Sequence, residues 1–117
     1  MAWTTAVAVA TVACRSPEPR EREVERFTTT LNRIAQMPAG TRARALDELG
    51  AIRFETPAVV TARATCVKAY RALDDVQRRL LRASPPATDA DVAAAEARLR
   101  EAETAQRRCD ASLTALR

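Results

Sequence analysis

The sequence predicts an all-α fold: a small helical bundle built on a long antiparallel helical hairpin of coiled-coil type. Three observations carry that prediction. Ala, Arg, Glu and Leu, all strong helix formers, dominate the 117 residues, and only two glycines occur. Proline- and glycine-bearing breaks at Pro38-Ala39-Gly40, Thr56-Pro57 and Ser84-Pro85-Pro86-Ala87 divide the chain into pieces of helical length. Within the last two pieces, apolar and small residues recur at alternating steps of three and four, the period of a helix seam and not of a strand. The length bounds the chain to one domain with a modest core. Aromatic residues make up 3%, so small and aliphatic side chains must fill that core, which suits helices packed closely side by side.

Taken in order, a first helix is expected over residues 18–37, after a short polar tether at 15–19. Val24, Phe27, Leu31 and Ile34 mark one face of it at steps of three, four and three, a stripe to be buried. Pro38-Ala39-Gly40 ends it. Thr41 is the expected N-cap of a short helix reaching about residue 53, with Leu46, Leu49 and Ile52 inward. Thr56-Pro57 opens the third helix, a capping residue followed by proline at the first helical position. That helix is expected over 57–83. Ser84-Pro85-Pro86-Ala87 breaks it, and Thr88, with Asp91 three residues on, caps a fourth over 88–116 in capping-box style.

The seam carries the most information. On the third helix it reads Val59, Ala62, Cys66, Ala69, Leu73, Val76, Leu80. On the fourth it reads Val92, Ala95, Leu99, Ala102, Gln106, Cys109, Leu113, Leu116. A short loop makes the two antiparallel neighbours, so facing residues have numbers of constant sum. With a sum of about 175, every seam residue of the third helix meets one of the fourth. Leu80 faces Ala95, Val76 faces Leu99, and Leu73 faces Ala102. Ala69 faces Gln106, Ala62 faces Leu113, and Val59 faces Leu116. Several layers thus set a small residue against a large one. The same register, set by aliphatics and loop, puts Cys66 opposite Cys109. The expectation is a disulfide that staples the hairpin. The other reading is a pair of buried free thiols, since cysteine is among the most buried residues. No metal site is expected: the chain has no histidine, and the third cysteine, Cys14, lies far away near the N-terminus.

The N-terminal segment has a different character. Residues 2–13 carry no charge. The run is too short to span a bilayer, which takes about 20 residues, but it has the length of a signal-peptide core ending in small residues. Thr11-Val12-Ala13-Cys14 resembles a bacterial lipobox. The resemblance covers these four residues and departs from the usual pattern in having Thr11 where leucine is usual, and no Lys or Arg precedes the apolar run. It implies a leader over 1–14, cleavage before Cys14, and lipid on that cysteine as a membrane anchor. Two other readings stand beside it: cleavage after Ala8 or Ala10 without lipidation, and a cytosolic chain with an Ala/Val-rich N-terminus. The helical bundle domain then spans 20–117.

The formal charge is +4, and Lys68 is the single lysine among nineteen basic residues. The charges are mixed and not blocked. Asp74/Arg78, Asp75/Arg79, Glu96/Arg100 and Glu103/Arg107 stand acid-first at i,i+4, the favourable order on a solvated helix face. Residues 41–84 hold nine basic and five acidic side chains, while the rest of the chain nets to zero. That excess is the argument for a cytosolic, basic, nucleic-acid-binding or regulatory protein. Against it, acids alternate with the arginines and no aromatic platform accompanies them.

Without histidine no His-based triad can be built, and Gly40 and Gly50 are isolated, so no phosphate-cradling loop exists. Asp47-Glu48, Asp74-Asp75 and Asp89/Asp91 each fit exposed turns or caps better than an acid–base pair. The expectation is therefore a non-enzymatic protein without cofactor, located in the cell envelope. It would act as a tethered helical scaffold or accessory module with a protein partner. A further stripe of the third helix, Val60, Val67, Tyr70 and Leu81, either stays open for homo-oligomerisation or is covered by the first helix.

Overall fold

The computed structural model describes residues 18–38, 40–82 and 88–117; the lipobox with Cys14, and the loop over 83–87, lie outside the described residues. It is all-α, with four helices in the order α1 (Pro19–Ala35), α2 (Ala43–Ala51), α3 (Pro57–Arg82) and α4 (Asp89–Ala115). The helix starts follow local chemistry. Pro19 occupies the first helical turn of α1, where a missing N–H costs nothing, and Glu21 complements the positive end of the helix dipole. Thr88 and Asp91 form the full capping box of α4. Thr41 is not the N-cap of α2. Its hydroxyl donates back to the Pro38 carbonyl at 2.6 Å, and Arg42 takes the cap position. Gly40 sits between the two helices at φ +83°, the left-handed conformation that favours glycine.

The α3–α4 hairpin is the spine. On a second face of α3 lie α1 and α2. Near its start α1 touches the start of α3 through Glu23, and its end approaches Asp74 through Arg42, so α1 runs alongside α3 in the same direction. α2 returns the other way: Arg42 at its start lies by Asp74, Asp47 meets Arg71, and Ile52 just past its end meets Arg63. At this end of the hairpin the chain thus forms a four-helix body.

The body's core joins the expected stripes. Phe27, Leu31 and Ile34 of α1 are buried with Leu46 and Leu49 of α2, and with Val59, Ala62, Cys66 and Ala69 of α3. Cys109 and Leu116 close it from α4. Val24, Ile52, Val60, Val67, Tyr70 and Leu113 pack around it, half-buried. Val60, Val67 and Tyr70 of the further stripe therefore pack against this core, while Leu81 is exposed. Phe54, in the α2–α3 connection, is also buried and meets Phe27 edge-on, with ring centroids 6.1 Å apart at 79°.

The seam expectation needs a correction at the loop end. Val59, Ala62, Ala69, Val76, Ala102 and Leu116 are buried, and Leu73, Ala95 and Leu113 are half-buried. Leu80, Val92 and Leu99 are not core residues, at 58%, 48% and 41% exposure. Two helices alone cannot enclose a seam: a side chain at their contact is walled by one partner and open on its flanks. Near the base α1 and α2 shield the hairpin on one side. They end near the level of Asp74, and no other element among the described residues replaces them further along.

Candidate functional site

Three features stand out above the packing: a covalent bond across the hairpin, two polar clamps that hold the body together, and an open arm beyond it.

Cys66 and Cys109 are disulfide-bonded, with Cα atoms 4.6 Å apart and 43 residues between them in sequence. Both are fully buried. Ala62 and Ala69, one turn to either side on α3, are small enough to let the helices approach. The bond fixes the hairpin register with the sum expected from the aliphatic pattern. Near it the half-buried Gln106 leaves its Oε1 without a hydrogen-bond partner.

The first clamp centres on Arg42. Its Nη1 lies 3.2 Å from Asp74 Oδ1, its Nε and Nη2 donate to the Met37 carbonyl at 3.2 and 3.1 Å, and Nη2 also donates to the Ala35 carbonyl at 3.3 Å. The guanidinium carbon stands 5.3 Å from the Tyr70 ring centroid. One side chain thus satisfies carbonyls at the C-terminal end of α1, opens α2 and neutralises a carboxylate on α3. Asp74 is only 4% exposed. The expectation that it forms an exposed pair with Arg78 is overturned, because the α1–α2 turn lies over it and brings Arg42 within reach. Asp75 and Arg79 do pair, at 2.9 Å.

The second clamp is Glu23. Its carboxylate accepts the Glu55 amide at 2.7 Å and the Thr56 amide at 2.7 Å. A side chain of α1 thus satisfies amides at the start of α3. Hydrogen bonding from the Thr56 hydroxyl, then from the Glu55 amide, holds the Glu23 carboxyl below its ordinary range. The Asp91 carboxyl of the α4 capping box is lowered likewise, by its bonds to the Thr88 amide and hydroxyl. On the same side of the body Arg63 donates to the Ile52 carbonyl and stacks over the Phe54 ring, 5.3 Å from its centroid.

Sequence reasoning missed Glu23, Arg42, Arg63 and Phe54. Phe54 could have been found, since a large apolar ring in a short connection rarely stays in water. Nothing local selects Glu23 over Glu21 or Glu25, or Arg42 over Arg44.

Several arginines of residues 41–84 have partners of this kind. Arg42, Arg44, Arg63, Arg71 and Arg79 each engage a carboxylate, a carbonyl or a ring. Arg42 and Arg63 are thus internal braces, while Arg44, Arg71 and Arg79 pair with carboxylates at the surface. Among the described residues no group of three or more Cys, Asp or Glu side chains is placed to hold a metal ion. Nor is any helix among them long and apolar enough to cross a membrane.

The arm is the part of the hairpin beyond Asp74. It exposes Leu80 and Leu81 on α3, the latter at 83%, and Val92 and Leu99 on α4. Around them stand Arg78 and Arg82 on one helix and Asp89 and Glu96 on the other, all exposed. The α1–α2 turn reaches the foot of the arm: a Cβ placed on Gly40 would lie 3.7 Å from Arg78 Cγ.

Comparison with protein families, with curated proteins and with solved structures gives no match to this chain.

Proposed function

We propose that this is a non-enzymatic protein of the cell envelope that works by protein–protein contact, with the hairpin arm as its working surface and the four-helix body as its support. The observation that carries the reading is the contrast along one hairpin. Its base is closed by a disulfide and by two helices, while its far end presents four large aliphatic side chains to solvent. Clustered exposed aliphatics on an otherwise well-packed small protein mark an interaction surface. The Cys66–Cys109 bond supports the compartment, because such bonds persist where the surroundings are oxidising. The uncharged run over 2–13 and the Cys14 lipobox support export and tethering at the N-terminal end. α1 begins at the base of the hairpin, so an anchor there would leave the arm pointing away from the membrane.

Mass spectrometry of the native protein from its own cell, without reduction, tests the compartment. The expected species begins at Cys14, carries lipid on that residue and is two hydrogens lighter across Cys66 and Cys109. A chain that keeps Met1, has both thiols free and fractionates with the cytosol would overturn export and anchoring together.

A further inference from the structure

We infer that the hairpin arm pairs with the arm of a second copy of this chain, the two lapped side by side in opposite directions to complete a four-helix bundle at the tips. This rests on the reading of the arm as an interaction surface and names the partner.

The argument starts from one face of α3. Val60, Val67, Asp74 and Leu81 follow one another every seven residues, about two helical turns, and so share a face. α1 and α2 cover the first three: Val60 and Val67 are half-buried, and Asp74 is buried beneath Arg42. Leu81 continues the same face past the end of the α1–α2 turn and is 83% exposed. Among the described residues the hairpin therefore has neighbours on this face for its lower part and lacks them for roughly the last 12 Å of α3. Leu80, Val92 and Leu99, in seam register but open on their flanks, are the side chains that two more helices would enclose.

Charge selects a second copy as the source of those helices. The end of α3 carries Arg78, Arg79 and Arg82 against Asp75, and the first turns of α4 carry Asp89, Asp91 and Glu96 ahead of Arg98 and Arg100. Among the described residues no ion pair joins α3 to α4 within one chain; the pairs that form lie within a helix or link α2 to α3. The arm is thus basic at the end of α3, acidic over the first turns of α4, and self-complementary there under a two-fold axis. Lapping the arms in opposite directions keeps the two bodies apart, one at each end. It brings Arg82 of one copy level with Glu96 of the other, and Arg78 within about a turn of the other's Asp89. Tethered at their bases, two such chains would span from anchor to anchor through their joined tips.

Sedimentation of the full chain, disulfide intact, over a wide concentration range should show a monomer–dimer equilibrium. Leu81→Glu should weaken it by roughly tenfold or more, with the helicity and melting temperature of the dilute monomer unchanged because Leu81 supports no core. Arg82→Glu and Glu96→Arg should each weaken it, and the two together should restore it. A photo-crosslinking residue at position 81, used in the native cell, separates this inference from the reading beneath it. An adduct of twice the chain's mass supports self-pairing. An adduct of another mass overturns self-pairing and leaves the arm an interaction surface. No adduct overturns both. A chain that sediments as a monomer throughout, or a dimer indifferent to Leu81→Glu or to the charge exchange, would also overturn the pairing.

Discussion

The two ends of the hairpin are built from the same repeat and have opposite fates. At the base, Val59, Ala62, Cys66, Ala69 and Cys109 follow the three-four spacing and are fully buried or nearly so. At the tip, Leu80, Val92 and Leu99 follow the same spacing and stand about half in water. The tip residues are if anything larger and more apolar. What differs is the number of helices around them. A seam gives one wall. Burial needs the remaining walls, and α1 and α2 supply them only as far as Asp74. Periodicity therefore reports which way a side chain points along a helix, while enclosure is a property of the assembly.

That comparison can be tested at several strengths. Phe27→Ala strikes the base, where α1, the Phe54 connection and α3 converge, and should cost about 3–5 kcal/mol in chemical denaturation. A loss as small as that of a tip substitution would mean that the body is not the stable half.

Reducing Cys66–Cys109, or Cys66→Ser, should cost about 4 kcal/mol in the chain-entropy model for the loop it closes. Calorimetry with and without reductant would read this as a lower melting temperature, with Cys14→Ser as the silent control. An unchanged melting temperature on reduction would show that the aliphatic register alone holds the hairpin.

Asp74→Ala should cost on the order of 2 kcal/mol. It leaves the Arg42 guanidinium under Tyr70 with carbonyl partners but no counter-charge. The double variant with Arg42→Met should recover part of the loss, because it also removes the unpaired charge. A double variant no better than the single one would assign Arg42 chiefly to the α1 carbonyls.

Glu23 gives the base a pH dependence. Its folded-state carboxyl lies below the ordinary value of 4.5. Its contribution is therefore fully present above that value and is lost as pH falls through the lowered folded value. Glu23→Gln should weaken the protein at neutral pH and flatten the acid limb of its stability curve. Melting curves taken from neutral to acid would test this, and a variant that kept the wild-type slope would remove Glu23 as its source.

Leu81→Ala should change monomer stability by less than about 0.5 kcal/mol, the smallest effect, measured in dilute solution. A substantial loss there would show that the tip is already enclosed within one chain, and the contrast between the two ends would fail.

Much of the fold was legible because it is written in local rules. The Thr56-Pro57 step, the Thr88/Asp91 capping box and the Pro38–Gly40 break act within a turn of the helix ends they set. The stripe Phe27, Leu31, Ile34 and the pair Leu46, Leu49 need only the helical period. The facing of Cys66 and Cys109 was legible because antiparallel neighbours joined by a short loop have a single adjustable quantity, their register, and the aliphatics fix it. Arg42 was not legible: its partners Ala35, Met37, Asp74 and Tyr70 lie on three segments, and no spacing links them. Glu23 likewise caps a helix that begins more than thirty residues later.

By itself, then, the sequence determined where the helices start and stop, which stripe of each is apolar, and that the two cysteines meet. Each of these depends on rise, turn and side-chain direction along one helix, or on one short connection. Only the tertiary structure decided how far up the hairpin α1 and α2 reach, and hence which seam leucines are core and which are surface. It also decided which arginines of a mixed-charge chain become braces. Burial and desolvation depend on neighbours distant in sequence, so the same leucine in the same heptad position is enclosed at one end of this hairpin and open at the other.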